Sequence, residues 1–486
     1  MSVSALRRRE FPASPWAALA LIVVAQFMVI LDVAIVNVAL PSIETDLGFT
    51  QSGLEWVVTA YAIVFGGFLL LGGRLADVLG RRRIFAAGIA LFAVSSVLCG
   101  LSWSAGSLVA FRGLQGLGGA LLAPAGLSLL MTTFAEGRDR NVALGIWGAA
   151  SGSGAAVGVL VGGVLTSYLS WPWIFFVNAP VAAVLLLAVP LVLRESVVRD
   201  GLRHFDLAGA LSATGAVVLF VYALTLTTSR GWADPVTLSA LGASLALAVA
   251  FVLNERRAPA PLLPLRMFRI RTFAVGNAVT TIVASIAFSE FFLLTLYLQD
   301  VLGYSAVETG LAFSAVAVTI AAVSNVAQWL VTRFGPRGVL TVGLVLVTAS
   351  LVLIARLPVP GDYPVDLLGP FVLNGVGLAL CFIPVTIAGL AGVPSAQAGA
   401  ASGLLNTSRQ VGGAVGLAVV NTIAASSVAD GTSSQAHGFR VSLLVLSGMA
   451  LLGAVLSSTL LARSPAAAAA AREPAHAVEH PVREAA

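Results

Sequence analysis

Residues 16–41 read WAALALIVVAQFMVILDVAIVNVALP, twenty-six positions with a single charged side chain, Asp32. An α-helix rises about 1.5 Å per residue, so about 20 apolar residues cross the roughly 30 Å of hydrocarbon in a bilayer. This stretch meets that length. It exceeds the about 7–15 apolar residues of a signal peptide and lacks a small-residue cleavage site, so it is expected to stay in the protein as a first span.

The rest of the chain repeats the pattern. Its 486 residues are 58% hydrophobic and 10% charged, with a mean hydropathy of +0.97. Soluble domains are about 45–50% apolar and about 25% charged, so a water-soluble globule is excluded. Apolar stretches bounded by charges or turn residues begin near Trp16, Leu54, Ile84, Leu108, Ala143, Ile174 and Leu207. Seven more begin near Val236, Phe273, Thr309, Gly338, Leu367, Ala401 and Val441. The expectation is an all-α polytopic membrane protein with about fourteen transmembrane helices.

Composition also removes several chemistries. All 27 basic side chains are Arg. With no Lys there is no P-loop to hold a nucleotide and no Schiff-base chemistry. Cys99 and Cys381 both lie in apolar stretches, and His204, His437, His476 and His480 are scattered, so no disulfide and no metal site is expected. No G-x-S-x-G or H-E-x-x-H occurs, and the longest loops, about 20 residues, leave no room for a sensor domain. No cofactor, nucleotide or catalytic residue is expected. The net charge of +5 and pI near 9.7 invite a nucleic-acid reading, but the arginines follow topology and carry no interleaved aromatics.

That topology is testable within the sequence. Alternating fourteen spans from a cytoplasmic N-terminus leaves only Arg230, Arg356 and Arg440 outside, while Arg112 and Arg409 fall within spans. The other 22 arginines lie inside, as basic residues do when they govern orientation. A plasma-membrane protein with both termini cytoplasmic follows.

Three weak echoes share nearly one offset. Leu47-Gly48-Phe49-Thr50 resembles Leu302-Gly303-Tyr304-Ser305, and Gly80-Arg81-Arg82 resembles Gly335-Pro336-Arg337, each 255 residues apart. Leu114-Gln115-Gly116-Leu117-Gly118 resembles Leu373-Asn374-Gly375-Val376-Gly377, 259 apart. Six spans occupy about 190 residues, so the surplus accommodates two more helices. The expected organisation is a tail (1–15), a six-helix bundle (16–195), two inserted helices (206–256), a linker (257–272), a second six-helix bundle (273–462) and an Ala-rich tail (463–486). Duplicated six-helix halves are a transporter architecture, with substrate held between them near the midplane.

Charges within the hydrocarbon mark candidate function, because each costs at least about 2.5–3.5 kcal/mol at a helix centre. Asp32 lies nine residues before Pro41, about 13 Å from the outer end of its span. Arg112 lies a few residues into a span entering from outside, at similar depth. If the two spans face one cavity, a pair between them either couples proton uptake to helix movement or fixes helix packing. Glu290 falls about one turn beyond the repeat equivalent of Asp32. It is a second proton site, a contact for a cationic substrate, or a neutral carboxyl bonded to a neighbouring helix. Arg409 either snorkels toward the cytoplasm or meets substrate. Gln26, Asn37, Gln115, Asn277 and Asn374 are candidates for a substrate cavity, with interhelical hydrogen bonds the alternative for each. Gly154, Gly158 and Gly162 share one helix face and permit close packing.

These residues resemble the major facilitator superfamily, specifically its fourteen-span drug:proton antiporter branch, over roughly residues 16–462. Leu31-Asp32-Val33-Ala34-Ile35-Val36-Asn37-Val38-Ala39-Leu40-Pro41 is similar to the branch's first-span signature. The stretch from Gly73 to Arg83 (GRLADVLGRRR) resembles the superfamily's loop motif, and Arg112 to Gly119 its fourth-span motif. Tyr297-Leu298-Gln299 is also typical of the branch. There are departures: Gly158 is followed by Val159 where antiporters normally carry Pro, and Ser170-Trp171-Pro172-Trp173 replaces a Ser-Trp-Arg-Trp pattern.

The resemblance implies a proton-coupled exporter of small amphiphilic or cationic compounds. It implies that Asp32, Glu290 and Arg112 serve proton coupling, and that Gly73, Asp77, Gly80, Arg81 and Arg83 form a conformational latch. The implied partners are a small-molecule substrate, protons and the lipid bilayer, with the chain working as a monomer. A symporter or lipid exporter on the same scaffold is the alternative.

Overall fold

The computed structural model describes residues 14–196, 206–259, 261–356, 363–429 and 435–461. Most of both expected tails, with Arg199 and Arg203, lies outside the described residues. Those described are overwhelmingly helical. In chain order the long helices are α1 (Pro15–Leu47), α2 (Gln51–Leu79), α3 (Arg81–Gly100), α4 (Ala105–Thr133), α5 (Arg138–Tyr168) and α6 (Trp173–Val192, with a turn at Val177). Then come α7 (Leu207–Arg230), α8 (Pro235–Glu255), α9 (Arg271–Leu296), α10 (Ala306–Phe334), α11 (Pro336–Ala355), α12 (Leu368–Gly389), α13 (Ala398–Ala429) and α14 (Gln435–Leu460).

Within a bilayer only internally hydrogen-bonded backbone is affordable, and the helix ends show how each is closed. Ser14 caps α1 ahead of Pro15, Asp206 caps α7, and Asp234 caps α8. Ser104 and Ser107 close α4 with a reciprocal capping box, as Ser305 and Glu308 do for α10.

Twelve helices among the described residues are long and apolar enough to cross a membrane, two fewer than the expected fourteen. The two outside that set are α5 and α13, of 31 and 32 residues. Both are rich in glycine, alanine and serine, and α13 also carries the polar run Asn406-Thr407-Ser408-Arg409-Gln410. Glycines also let them pack closely: a side chain on Gly158 would strike Leu31 and Ala34 of α1, and one on Gly416 would strike Ser285 of α9.

The repeat is carried by matching contacts. Gly48 and Gly303 both adopt left-handed backbone (φ 63° and 71°), each followed two residues later by a hydroxyl N-cap, Thr50 or Ser305. Gly116 abuts the Tyr61 carbonyl as Gly375 abuts that of Val316, and Gly118 abuts Phe92 as Gly377 abuts Val347. Each partner recurs 255 residues on, so α2–α4 pack on one another as α10–α12 do. One apolar core lies wholly within α9–α14 and the segments joining them. The N-terminal core extends across the Arg-rich face to take in Leu263, Met267, Phe273, Leu390, Ala401 and Leu405.

The inserted hairpin α7–α8 rides on the seam between the halves. Helix α7 packs on both α2 and α13. Val217 reaches Gly66, which also meets Gln410 of α13, and Trp232 donates to Thr422 Oγ1 at 2.7 Å. Large apolar side chains on the outer faces, such as Leu187, Leu191 and Leu245, are exposed as a bilayer-facing belt would be.

Candidate functional site

Helices α1 and α4 bring Asp32 and Arg112 together in the interior of the N-terminal half. Arg112 Nη1 lies 2.7 Å from Asp32 Oδ2, with the two side chains 1% and 0% exposed. Arg112 Nε donates to the Val57 carbonyl at 3.0 Å, and Nη1 also donates to Gln115 Oε1 at 2.6 Å. Its guanidinium lies 4.4 Å from the centroid of the Tyr61 ring, a cation–π arrangement.

Asp32 Oδ1 accepts from Gln115 Nε2 and from Asn178 Nδ2, both at 2.8 Å. Both amides also donate to Ser96 Oγ, at 3.1 and 3.0 Å, and Ser96 donates to the Phe175 carbonyl at 2.9 Å. Gln115 was a candidate for the substrate cavity; its amide is instead spent on the ion pair. Ser96, Asn178 and Tyr61 escaped the reading of the sequence. The signal that would have found Asn178 is that of every other candidate here, an amide inside an apolar span, which must find a partner.

In the C-terminal half Glu290, 4% exposed, accepts a hydrogen bond from Asn374 Nδ2 at 3.2 Å. No ion pair to Glu290 occurs among the described residues. The position matching Arg112 by the 259-residue offset is Phe371, which stacks on Phe313 and meets Tyr363 edge to face. The ion pair is therefore confined to one half.

The remaining polar candidates scatter. Asn277 is buried and donates to the Phe273 and Gly389 carbonyls. Gln26 is buried with an unsatisfied Oε1, and Asn37 is exposed, bonded to Val33 of its own helix. Arg409 donates to Thr386 Oγ1 at 2.7 Å and lies 4.9 Å from the ring centre of Trp147 in α5, so it bridges the two halves.

A second constellation joins the halves at the Arg-rich face. Asp77, wholly buried, accepts from the backbone N–H groups of Gly399 and Ala400 at 3.1 and 3.2 Å, at the start of α13. The N-terminal end of a helix favours a carboxylate by its free N–H groups and its dipole. Arg81 pairs with Asp77 at 2.7 Å and also donates to the Ser395 carbonyl, linking α3 to the other half. Gly73 and Gly399 touch backbone to backbone, with no room for a Cβ on either. Gly80 (φ 112°) turns the chain between α2 and α3, and Glu195 fills the space beside it. Arg83 stands apart: its side chain is 72% exposed and lies 3.6 Å from Glu195, not Asp77. A cleft of about 550 Å³ lies beside this constellation, lined by Arg81, Met131, Arg140 and Ser395. It is distant in sequence and helix position from Asp32.

Comparison with known proteins places this geometry. Residues 22–417 match the Major Facilitator Superfamily. The chain is 41% identical over 460 residues to the puromycin resistance protein of Streptomyces alboniger, covering 92% of this chain and 91% of that one. It is 38% identical over 452 residues to the cephamycin export protein of Amycolatopsis lactamdurans, covering 92% and 93%. Among solved structures the human organic anion transporter MFSD10 superposes with a TM-score of 0.65 at 16% identity, over 91% of this chain and 99% of that one. The chain is a multi-pass membrane protein that belongs to the major facilitator superfamily.

Proposed function

We propose that this chain is a proton-coupled exporter of small amphiphilic or cationic compounds of the drug and antibiotic type, working by alternating access between its two halves. The observation that carries the reading is the Asp32–Arg112 pair, buried at 2.7 Å inside the bundle. The names of the similar proteins, puromycin resistance and cephamycin export, support the substrate class.

In this reading an ionised Asp32 holds α1 against α4 through Arg112. A proton arriving from outside neutralises the carboxylate and removes the attraction, while Arg112 keeps its bonds to Val57 and Gln115. The freed helices permit the halves to rock. Asp77 and Arg81 latch the Arg-rich, cytoplasmic face closed until that motion separates α2 from α13. Substrate is taken up from the cytoplasmic side after the latch opens, and the proton is released there. Glu290 offers a carboxyl to a cation in the C-terminal half.

The test is accumulation of a panel of dyes and antibiotics in an efflux-deficient bacterial host expressing this chain. The expected result is lowered accumulation, restored both by a protonophore and by Asp32→Asn. Export that persists unchanged in well-expressed Asp32→Asn sinks the proposal.

A further inference from the structure

Three polar groups, Ser96, Gln115 and Asn178, surround Asp32 Oδ1 with every N–H and O–H hydrogen of their own side chains spent. Ser96 has one hydroxyl hydrogen, given to the Phe175 carbonyl, and two lone pairs, both occupied by the amides of Gln115 and Asn178. Each amide nitrogen has two hydrogens, and each spends one on Ser96 and one on Asp32 Oδ1. The orientation of Gln115 is not arbitrary. Its Oε1 faces Arg112, which can only donate, so its nitrogen must face Asp32 and Ser96. Asp32, Gln115, Ser96 and Asn178 thus close a ring in which Oδ1 is met by two N–H groups that cannot turn to accept. Among the described residues, Oδ2 is met by Arg112 alone.

We infer that Ser96 and Asn178 are positioning residues that confine proton acceptance to Asp32 Oδ2, so that taking up a proton and releasing Arg112 are one event. A proton on Oδ1 would point at two donors. A proton on Oδ2 displaces only the Arg112 Nη1 bond, and Arg112 retains Val57 O, Gln115 Oε1 and the Tyr61 face. The step is balanced: one proton adds to the carboxylate, one O–H bond forms, and one charged hydrogen bond is lost. The charged and titratable groups facing Asp32 are Arg112 from α4, Tyr61 from α2 and Cys99 from α3. The C-terminal half has no such frame, because the position 255 residues after Ser96 is Leu351 and Phe371 stands in for Arg112. Protonation of Glu290 releases no cation.

This inference rests on Asp32 being the proton site. It is tested on the purified full chain, isotope-labelled at its arginines, by pH-difference infrared spectroscopy with no substrate added. The protonated Asp32 carbonyl band is identified by its loss in Asp32→Asn, and the Arg112 band by its loss in Arg112→Lys. In the unmodified protein the two signals are expected to appear together on one titration. In Ser96→Ala the Asn178 amide is freed to turn, and in Asn178→Ala it is gone, while Gln115 stays fixed by Arg112. In both the proton has access to Oδ1, and the Arg112 signal is lost while the Asp32 band remains. Ser96→Thr, which keeps the hydroxyl, is expected to restore the joint response. The inference is overturned if the Arg112 signal fails to follow Asp32 in the unmodified protein, or still follows it in both alanine variants. A protein with no Asp32 band at any pH overturns the proton-site reading itself, a result distinct from the other two.

Discussion

Asn374 donates to Glu290 at 3.2 Å in the C-terminal half from the position at which the repeat places Gln115 beside Asp32 in the N-terminal half. Both halves therefore kept a carboxylate on their first helix and an amide on their fourth. Among the described residues, only the first half adds the cation. An ionised carboxylate in low dielectric is costly without a partner, and this difference assigns different work to two related sites.

Glu290→Gln should leave the N-terminal ion pair and the bond to Asn374 in place. Thermal unfolding of the purified variant is expected to match the parent. If Glu290 meets cationic compounds, their export should fall at least about tenfold, the loss of one charge-assisted contact, with neutral compounds little affected. Transport assays with matched cationic and neutral dyes measure the difference.

Arg112→Ala strands the Asp32 carboxylate in a buried site, at a cost of about 3–5 kcal/mol. The double change Asp32→Asn with Arg112→Gln removes both charges at similar volume and should recover much of that stability. Thermal unfolding of the three proteins in detergent checks it. Equal destabilisation in the single and double variants would contradict the pairing.

Asp77→Asn weakens the bonds to Gly399 and Ala400 and the pair with Arg81. The halves should then separate more often at the Arg-rich face. A cysteine placed at Ser395 is expected to react faster with a water-soluble maleimide in that variant than in the parent. Cys99 and Cys381 are buried, so the background is low.

Gly158→Leu forces a side chain against Leu31 and Ala34, where even a Cβ would sit 2.7 Å from the Ala34 methyl. Overpacking of this kind costs about 1–3 kcal/mol. A lowered melting temperature is expected, larger than that of Gly448→Leu, where a Cβ meets nothing within 4 Å.

Much of the fold was legible before any coordinates. The apolar run at 16–41, the arginine bias and the 255-residue echo are consequences of a solvent that admits only helices of one length and basic loops on one side.

The sequence by itself determined that the protein is a bundle of membrane helices in two related halves, and that Asp32, Arg112 and Glu290 are charges needing an explanation. Those conclusions follow from transfer energies that depend on one residue and its neighbours along the chain. Only the tertiary structure decided that Asn178, 146 residues from Asp32, shares its carboxylate oxygen with Gln115. The same holds for Asp77, which meets the start of a helix 322 residues away. Hydrogen bonds act over about 3 Å, and which distant groups come within that reach is set by how helices pack, a property no local pattern records.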